Sequence, residues 1–394
     1  MASTIRRIGK SVQKIAKSAG IPAKDAALAA DVITGISQKG SCHLSEIARA
    51  LDEDAPLIKT ERRLSEGLSD DGSELDELQT GYLHEVGDAA RTMPFIAVDP
   101  TEIVKPYGRS FEHLDTVRDA SDPRKNLEPG YWCVRIEATN EGNQTLPLYT
   151  EAFSTKDPDY AGWNETFWNA VETVMPYVDP KAMWIFDRAF DGIEHIRKFQ
   201  QLGIPWMIRQ QQNRHIELAN GVGYSMERFA FWLDKPHETL VPYVDKSTHD
   251  VKHFRVTFGY APIRLPGLDA ELYLIAVCRP NRDVLVLLTN RRPRSVKAAA
   301  TLVRTYMRRW GVEDGIRFWK QKTNIEDLRV RNWNSIRRLV MLSAIATGIQ
   351  ALWLLRRPTL AARYIARVKV FIEHVLFQNY RLWDGVTDAL LSKA

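Results

Sequence analysis

At 394 residues the chain is long enough for two or three domains, and 44% hydrophobic with 26% charged residues is a globular composition, which excludes an intrinsically disordered protein. Cys42, Cys133 and Cys278 lie far apart and form no Cys-x-x-Cys or Cys/His cluster, so neither a zinc site nor a disulfide framework is expected. We find no signal-peptide core and no run of about 18 apolar residues, and we therefore expect a soluble, cytoplasmic protein.

The net charge of +5 is unevenly distributed along the chain. Residues 279–338 carry sixteen Lys and Arg against five Asp and Glu, so the remainder of the chain is acidic overall. A basic segment of this kind attracts polyphosphates through counterion release and is typical of nucleic-acid-binding proteins. It fits a membrane surface or an acidic partner as well, so charge alone does not choose among these partners.

Residues 1–90 predict short helices and a DNA-binding region. A helix near residues 25–37, a turn that contains Gly40 and a second helix in HLSEIARAL together give a helix-turn-helix outline, and the basic stretch KTERRLSEGL follows. An ordinary three-helix packing module fits the same pattern. The acidic residues 70–77 predict a linker or a loose helix.

Residues 91–210 predict the first part of a mixed sheet. The apolar runs FIAVD, WCVRIEA and PLYTEAF predict three strands, with the last two forming a hairpin. A helix, the strand MWIFD, a second helix and the strand PWMIRQ follow in the sequence. Antiparallel strands followed by alternating helices and strands predict a ribonuclease H-like α/β fold, in which a mixed sheet is flanked by helices.

Residues 211–283 interrupt this order with turn-rich, strand-like sequence, which we interpret as a β-rich insertion. The second part of the catalytic domain, residues 284–350, is predicted to begin with the returning strand VLVLLTN and to continue into one long helix capped by Ser295. Residues 351–394 predict a C-terminal helical segment. The run LVMLSAIATGIQALWLL is short and interrupted by polar residues, so we do not predict a membrane span.

Four polar residues of that long helix lie on one face if the helix is continuous. At about 100° per residue, Tyr306, Arg309, Glu313 and Lys320 fall within roughly 60° of arc. The glutamate can ligate a hard cation, while the other three side chains can donate hydrogen bonds to phosphate oxygens. A solvated helix face held by salt bridges is the alternative interpretation.

Two aspartates add to this set, because Asp99 and Asp187 each end a short apolar run. Adjacent strands would bring them together at one edge of the sheet, and Glu313 would complete three oxygen donors that suit Mg²⁺ or Mn²⁺ better than zinc. Two such ions could support phosphodiester hydrolysis or strand transfer. Taken alone, each aspartate could equally belong to a turn or cap a helix.

These residues carry a resemblance to a known family. Tyr306, Arg309, Glu313 and Lys320 match the spacing Y-(2)-R-(3)-E-(6)-K, the signature of DDE transposases of the bacterial insertion-sequence-four group. DPTEIVK at Asp99 and FDRAFD at residue 187 resemble the family's two aspartate motifs, and all three motifs occur in the family's order. The resemblance covers roughly residues 93–350.

The resemblance implies a ribonuclease H-like core that performs cut-and-paste transposition with two Mg²⁺ or Mn²⁺ ions bound by Asp99, Asp187 and Glu313. It implies a homodimer that brings together the terminal inverted repeats of the element and joins them to target DNA, with no membrane partner, in the bacterial nucleoid. Tyr306, Arg309 and Lys320 would hold phosphates. The remaining candidates for contact with DNA are Lys105, Arg188, Trp232, Trp310 and Arg317, of which Trp232 is a candidate for stacking on a flipped base in a hairpin intermediate.

Two other functions use the same features. An inactive or host-adopted relative would bind DNA as a regulator without cutting it, and a ribonuclease H-like nuclease would cut DNA without joining it. Glu102 and Asp191 are carboxylates near the two motifs that could be confused with the predicted ligands.

Overall fold

A computed structural model describes residues 2–119, 124, 126–142, 144–211, 214–244, 251–280, 284–365, 382–384 and 386–387. The chain divides into two compact units. Unit 1 comprises residues 1–93, 99–179 and 313–394, and unit 2 comprises residues 94–98 and 180–312. Most of the predicted C-terminal segment beyond residue 365 lies outside the described residues.

The elements alternate between helices and strands after an all-helical beginning. The helices are α1 (Ala2–Ala19), α2 (Ala23–Lys39), α3 (Leu44–Leu51), α4 (Leu57–Ser69), α5 (Leu78–Ala90), α6 (Trp163–Val174), α7 (Ile193–Gln201), α8 (Met226–Trp232), α9 (Val296–Met307), α10 (Trp310–Thr323), α11 (Trp333–Arg356) and α12 (Pro358–Ile365). The strands are β1 (Phe95–Val104), β2 (Asp115–Arg118), β3 (Leu127–Thr139), β4 (Thr145–Phe153), β5 (Met183–Phe186), β6 (Trp206–Arg209), β7 (His215–Glu217), β8 (Gly223–Ser225), β9 (His237–Val244), β10 (Val251–Ile263), β11 (Leu272–Cys278) and β12 (Leu285–Thr289).

Strand β1 contributes residues to both units. Its first four residues pair in parallel with β5 in unit 2, from Phe95 opposite Met183 to Val98 opposite Phe186. Strand β5 pairs in parallel with β6, and its three register positions end at Ile208. All four residues of β5 are buried, as expected of parallel strands covered on both faces.

The predicted β-rich insertion forms strands, but most of them extend the sheet of unit 2. Strand β12 returns as predicted and pairs antiparallel with both β6 and β11, and β10 and β9 follow in the order β6-β12-β11-β10-β9. A separate two-stranded sheet contains β7 and β8. Helix α9 packs on β9 and β11, and Val303 and Tyr306 join the apolar core beneath it.

Unit 1 contains the second half of β1 with β3, β2 and β4. Strands β3 and β4 form the predicted antiparallel hairpin, with a register irregularity at Ile136 and Glu137. The order of hydrogen-bonded strands in the sheet is β4-β3-β1-β5-β6, and β1, β5 and β6 are parallel. This mixed sheet with flanking helices confirms the predicted ribonuclease H-like α/β fold.

Helix α11 forms much of the core of unit 1 and packs against β4 and α2. Its length of 24 residues and mean hydropathy of 1.6 would permit a membrane span, but 94% of its most apolar window is buried in the structure. A Cβ at Gly348 would lie 1.9 Å from the Tyr82 hydroxyl, so this glycine permits the close approach of α5. A buried helix of a protein core has these properties.

The single long helix predicted over residues 306–320 is wrong. Helix α9 ends at Met307 and α10 begins at Trp310, so Tyr306 lies on one helix while Glu313 and Lys320 lie on the other. The backbone N–H of Arg309 donates to the carbonyl of Tyr306, three residues earlier, and the N–H of Val312 does the same to Arg309. These three-residue bonds tighten the chain and shift its rotation, so the four side chains do not share one continuous helical face.

Candidate active site

A row of polar residues follows three paired strand positions. Val98, Phe186 and Ile208 lie in register on β1, β5 and β6, and the next residues along the chain are Asp99, Asp187 and Arg209. Because parallel strands in register end at the same edge, the sheet places the two aspartates after neighbouring positions. Asp99 and Asp187 therefore each follow one of two residues, Val98 and Phe186, that pair in register.

The apolar run predicted that Asp99 would end its strand, and this prediction is wrong. Strand β1 continues to Val104, and Asp99 is 8% exposed at the point where pairing with β5 stops. Pro100 follows it and has no N–H to donate to a neighbouring strand. Asp187 follows the last residue of β5 and begins a short 3-10 helix, Arg188–Phe190, without capping it through its side chain.

Tyr306 and Arg309 accompany Asp187 within unit 2. Tyr306 is 5% exposed, and its hydroxyl makes no hydrogen bond of normal geometry with the described residues, although the Arg309 side chain lies close enough to lower its pKa by donating to it. Burial raises the pKa of Tyr306 to about 12, the positive charges of Arg309 and Arg209 oppose that rise, and the negative charge of Asp187 adds to it. The phenol therefore stays protonated at neutral pH and can donate a hydrogen bond to an incoming phosphate oxygen.

Arg209 is a member of this cluster that the sequence analysis missed. It is the last residue of β6, and its charge acts on Tyr306. The run PWMIRQ predicts the strand correctly, and the signal for the arginine is its place one residue after an apolar run, as for the two aspartates. Strand register is needed to recognise that these three positions are equivalent.

Glu313 lies in the first turn of α10 and is exposed. Helix α10 contacts β3 closely at Gly315, where a Cβ would lie 2.2 Å from Oε2 of the buried Glu137. No group of three His, Cys, Asp or Glu side chains that could hold a metal ion is present among the described residues. The convergence of Asp99, Asp187 and Glu313 predicted from the sequence is therefore not confirmed. Carboxylates are oxygen donors of the kind that Mg²⁺ and Mn²⁺ prefer.

Lys320, a predicted phosphate ligand, is mostly buried and pairs with two carboxylates in unit 1. Its Nζ lies 3.0 Å from Glu102 Oε1 and 3.0 Å from Glu326 Oε1. Burial lowers the pKa of Lys320, but the charges of Glu326 and Glu102 outweigh this effect and leave the pKa raised. Glu102, the competing carboxylate near the first motif, is thus engaged by this lysine.

Lys105 is neither a surface lysine nor accessible to DNA in this structure. It is 7% exposed, and its Nζ donates to the backbone carbonyls of Glu326 at 2.7 Å and Leu328 at 2.5 Å. Burial lowers the pKa of Lys105 to about 8. The predicted contact between this residue and DNA does not fit its burial, because its ammonium group already donates hydrogen bonds to two backbone carbonyls.

The remaining predicted DNA contacts differ in accessibility. Arg188 and Arg317 are exposed, and Arg317 pairs with Asp314 at 3.1 Å. Trp232 is 53% exposed, and the Arg228 guanidinium lies over its ring, 4.4 Å from the centroid. The side chain of Trp310 lies outside the described residues.

Asp191 has a structural role, so we do not assign it as a metal ligand in place of Asp187. It accepts a hydrogen bond from the backbone N–H of Gln211 at 2.8 Å and one from Arg214 at 2.8 Å. These bonds connect the segment after β5 to the segment after β6. Burial raises the pKa of Asp191, and its partners oppose the rise.

One protein family matches the part of the chain that contains Asp187, Tyr306 and Arg309. Residues 164–349 match the transposase DDE domain family. The matched segment includes Asp187, Tyr306, Arg309, Glu313 and Lys320, and Asp99 precedes it.

Among solved structures, the chain is similar to a piggyBac transposase in a synaptic complex with hairpin DNA. The identity is 10%, the TM-score is 0.46, and the similarity covers 93% of this chain and 71% of that one. No curated protein matches the sequence.

Proposed function

We propose that this chain is a DNA transposase that cleaves DNA at the ends of a mobile element and joins those ends to target DNA. The observation that carries the proposal is the placement of Asp99 and Asp187 after neighbouring register positions, combined with the match of residues 164–349 to the transposase DDE domain. The spacing of Tyr306 to Lys320 supports membership of the insertion-sequence-four group.

The aspartates would hold divalent metal ions, with Glu313 as the third ligand. Two such ions supply an activated water or 3′-hydroxyl and a stabilised leaving oxygen when they are bound. The exposed position of Glu313 leaves its carboxylate accessible at the start of α10. The proposal includes a rearrangement in which the three carboxylates come together when DNA and metal ions bind.

Tyr306 and Arg309 would position the phosphate that reacts. The protonated phenol has an unused donor, and a guanidinium can contact two phosphate oxygens at once. Their buried surroundings strengthen such hydrogen bonds to a charged group. Lys320 is paired with Glu102 and Glu326 in this structure, so it could contact a phosphate only after these ion pairs break.

Trp232 would take part in a hairpin intermediate. Its exposed ring can stack on an unpaired base, and Arg228 on the same helix adds a cation near the nucleic acid. A homodimer that holds two terminal inverted repeats, acting at the bacterial nucleoid in the cytoplasm, completes the proposal.

A joining assay tests this function. Purified protein is mixed with a pre-cleaved 3′-hydroxyl end and a target plasmid, with Mg²⁺ or Mn²⁺, and the joined product is measured. We expect Asp187→Asn to lower joining about 1000-fold, since loss of a metal ligand removes several kcal/mol of transition-state stabilisation. Asp159→Asn is the matched control, because this aspartate is exposed and lies outside both the cluster and residues 1–90.

The same assay separates the alternatives. DNA binding without cleavage in the wild type would support a regulator, and cleavage without joining would support a nuclease. Joining that survives Asp187→Asn would overturn the assignment of the cluster as the active site.

A further inference from the structure

A basic cavity in unit 1 contains none of the candidate site residues named above. It has a volume of 530 Å³ and is lined by residues of α1, by the C-terminal end of α11 and by one residue of α5. Six of its lining residues are cations and one is an acid. A concave site with this excess of positive charge favours an anionic ligand.

The amphipathic pattern of α1 produces one wall of the cavity. Rotation by 100° per residue places Arg7, Lys10 and Lys14 on one face, while Ile8 and Val12 are buried on the other. Helix α1 contains no acidic residue, so nothing within the helix neutralises this face.

The one carboxylate in the lining, Glu85, forms two ion pairs, and Asp88 outside the lining lies 3.9 Å from Arg356. Glu85 lies 2.7 Å from Lys14 Nζ and 2.9 Å from an Arg356 nitrogen, and its side chain is 12% exposed. The resulting network connects α1, α5 and α11. Four cations of the lining, Arg6, Arg7, Lys10 and Arg357, form no ion pair with any other residue that the structure describes.

The helix-turn-helix outline differs in this respect. Arg49 on α3 pairs with Glu46, Arg62 on α4 pairs with Glu66, and Arg63 pairs with Asp31 and Glu53. A cation that is already paired with a carboxylate attracts a polyanion less strongly than an unpaired one. The arginines of α3 and α4 are thus neutralised, whereas the cavity keeps its charge.

We infer that this cavity, between α1 and the end of α11, is a binding site for the sugar-phosphate backbone of DNA. The cations would contact phosphates, and the buried Leu352 and Trp353 would form an apolar floor that carries no base-reading groups. DNA is the occupant that we choose because the inference rests on the proposed function, whose substrate is a phosphodiester polyanion. The site would increase affinity without selecting sequence.

Fluorescence anisotropy with a labelled random-sequence duplex, in EDTA so that no cleavage occurs, tests the inference. We expect the triple variant Arg6→Gln/Lys10→Gln/Arg357→Gln to bind at least about tenfold more weakly at moderate salt. The slope of log affinity against log salt should fall by about 2 to 3, since each lost phosphate contact removes about 0.9.

A second triple variant, Arg109→Gln/Arg118→Gln/Lys156→Gln, removes the same charge at exposed positions outside the cavity and outside residues 1–90, and it should weaken binding much less. Equal losses in the two variants would overturn the inference, because total charge would then explain binding. Thermal unfolding by circular dichroism checks that both variants fold, and an unfolded cavity variant is replaced by Lys10→Gln/Arg357→Gln, for which we expect a slope change of about 2.

Two further arms identify the ligand and separate the inference from the proposed function. Retention on vesicles of phosphatidylcholine with phosphatidylserine that is lost in the cavity variant, with unchanged DNA binding, would overturn it in favour of a membrane surface. If the wild type binds DNA through the cavity but joins no ends, the proposed function fails and this inference stands. If the cavity variant binds and joins as the wild type does, the inference fails alone.

Discussion

Two buried lysines of unit 1 and one buried tyrosine of unit 2 differ in how their donors are used. In unit 1, Lys320 is paired with two carboxylates and Lys105 with two carbonyls, so each donor is satisfied within the protein. In unit 2, the buried Tyr306 hydroxyl beside Asp187 donates no hydrogen bond to a described residue. Satisfied buried groups stabilise a fold, whereas an unused buried donor beside a carboxylate is available to a ligand.

The Arg135–Glu137 pair in unit 1 gives the strongest test of this comparison. Both side chains are fully buried, Arg135 donates to Glu137 at 2.7 Å, and its guanidinium lies over the Trp319 ring. We expect Arg135→Met to lower the free energy of unfolding by about 3–5 kcal/mol, because it leaves a carboxylate buried without its cation. Urea unfolding measures the change.

A double variant checks the cause of that loss. Arg135→Met/Glu137→Leu removes both charges and should recover much of the stability, since an apolar pair can replace a buried ion pair. If the double variant is as unstable as the single one, packing against Trp319 rather than the unpaired charge explains the effect.

Lys320 gives the next largest effect and tests its structural role. We expect Lys320→Met to cost about 2–3 kcal/mol of unfolding free energy, because Glu102 is 6% exposed and loses its partner. The raised pKa of Lys320 means that its contribution is complete below the unfolded pKa of about 10.4 and is lost above it. The wild type should therefore lose more stability than the variant in strongly alkaline buffer, and parallel pH profiles would contradict the pairing.

Lys105 predicts the opposite pH dependence. Its pKa in the folded protein is about 8, so between that value and about 10.4 the unfolded chain binds more protons than the folded one. Stability should rise with pH over this window by roughly 1 kcal/mol per pH unit. Lys105→Met should abolish the rise, and its persistence in the variant would assign it to another group.

Tyr306→Phe should have the smallest effect on stability and so sharpens the contrast. Removing a buried hydroxyl that donates no hydrogen bond should change the unfolding free energy by less than about 1 kcal/mol. Joining of the DNA ends should nevertheless fall about tenfold, since each tenfold corresponds to about 1.4 kcal/mol of lost transition-state stabilisation. A variant that is clearly destabilised yet joins normally would reverse the assignment of this tyrosine.

The sequence predicted the parts of this molecule that depend on local patterns. The apolar runs FIAVD, MWIFD and PWMIRQ correspond to β1, β5 and β6, because four or more consecutive apolar residues favour a strand covered on both faces. Asp187 follows the end of β5 as its run predicted, whereas Asp99 lies inside β1. The residues before the two aspartates, Val98 and Phe186, pair in register.

Features that depend on distant contacts were not predictable in this way. The insertion pairs with the central sheet through β12, and strand pairing between distant segments leaves little local trace. Lys105 is buried because carbonyls more than two hundred residues away accept its hydrogen bonds. The break between α9 and α10 separated residues whose spacing had suggested one helical face.

Because β1 pairs with β5 only as far as Val98, the side on which Asp99 projects is fixed by counting residues along this strand. Insertion of a single codon before this aspartate would leave residues 164–349 of the matched domain intact, but it would turn the carboxylate to the opposite face of the sheet. Under the proposed function, relatives that carry such an insertion would keep every motif and lose activity. Spacing within β1 would then be a criterion for activity that a motif search overlooks.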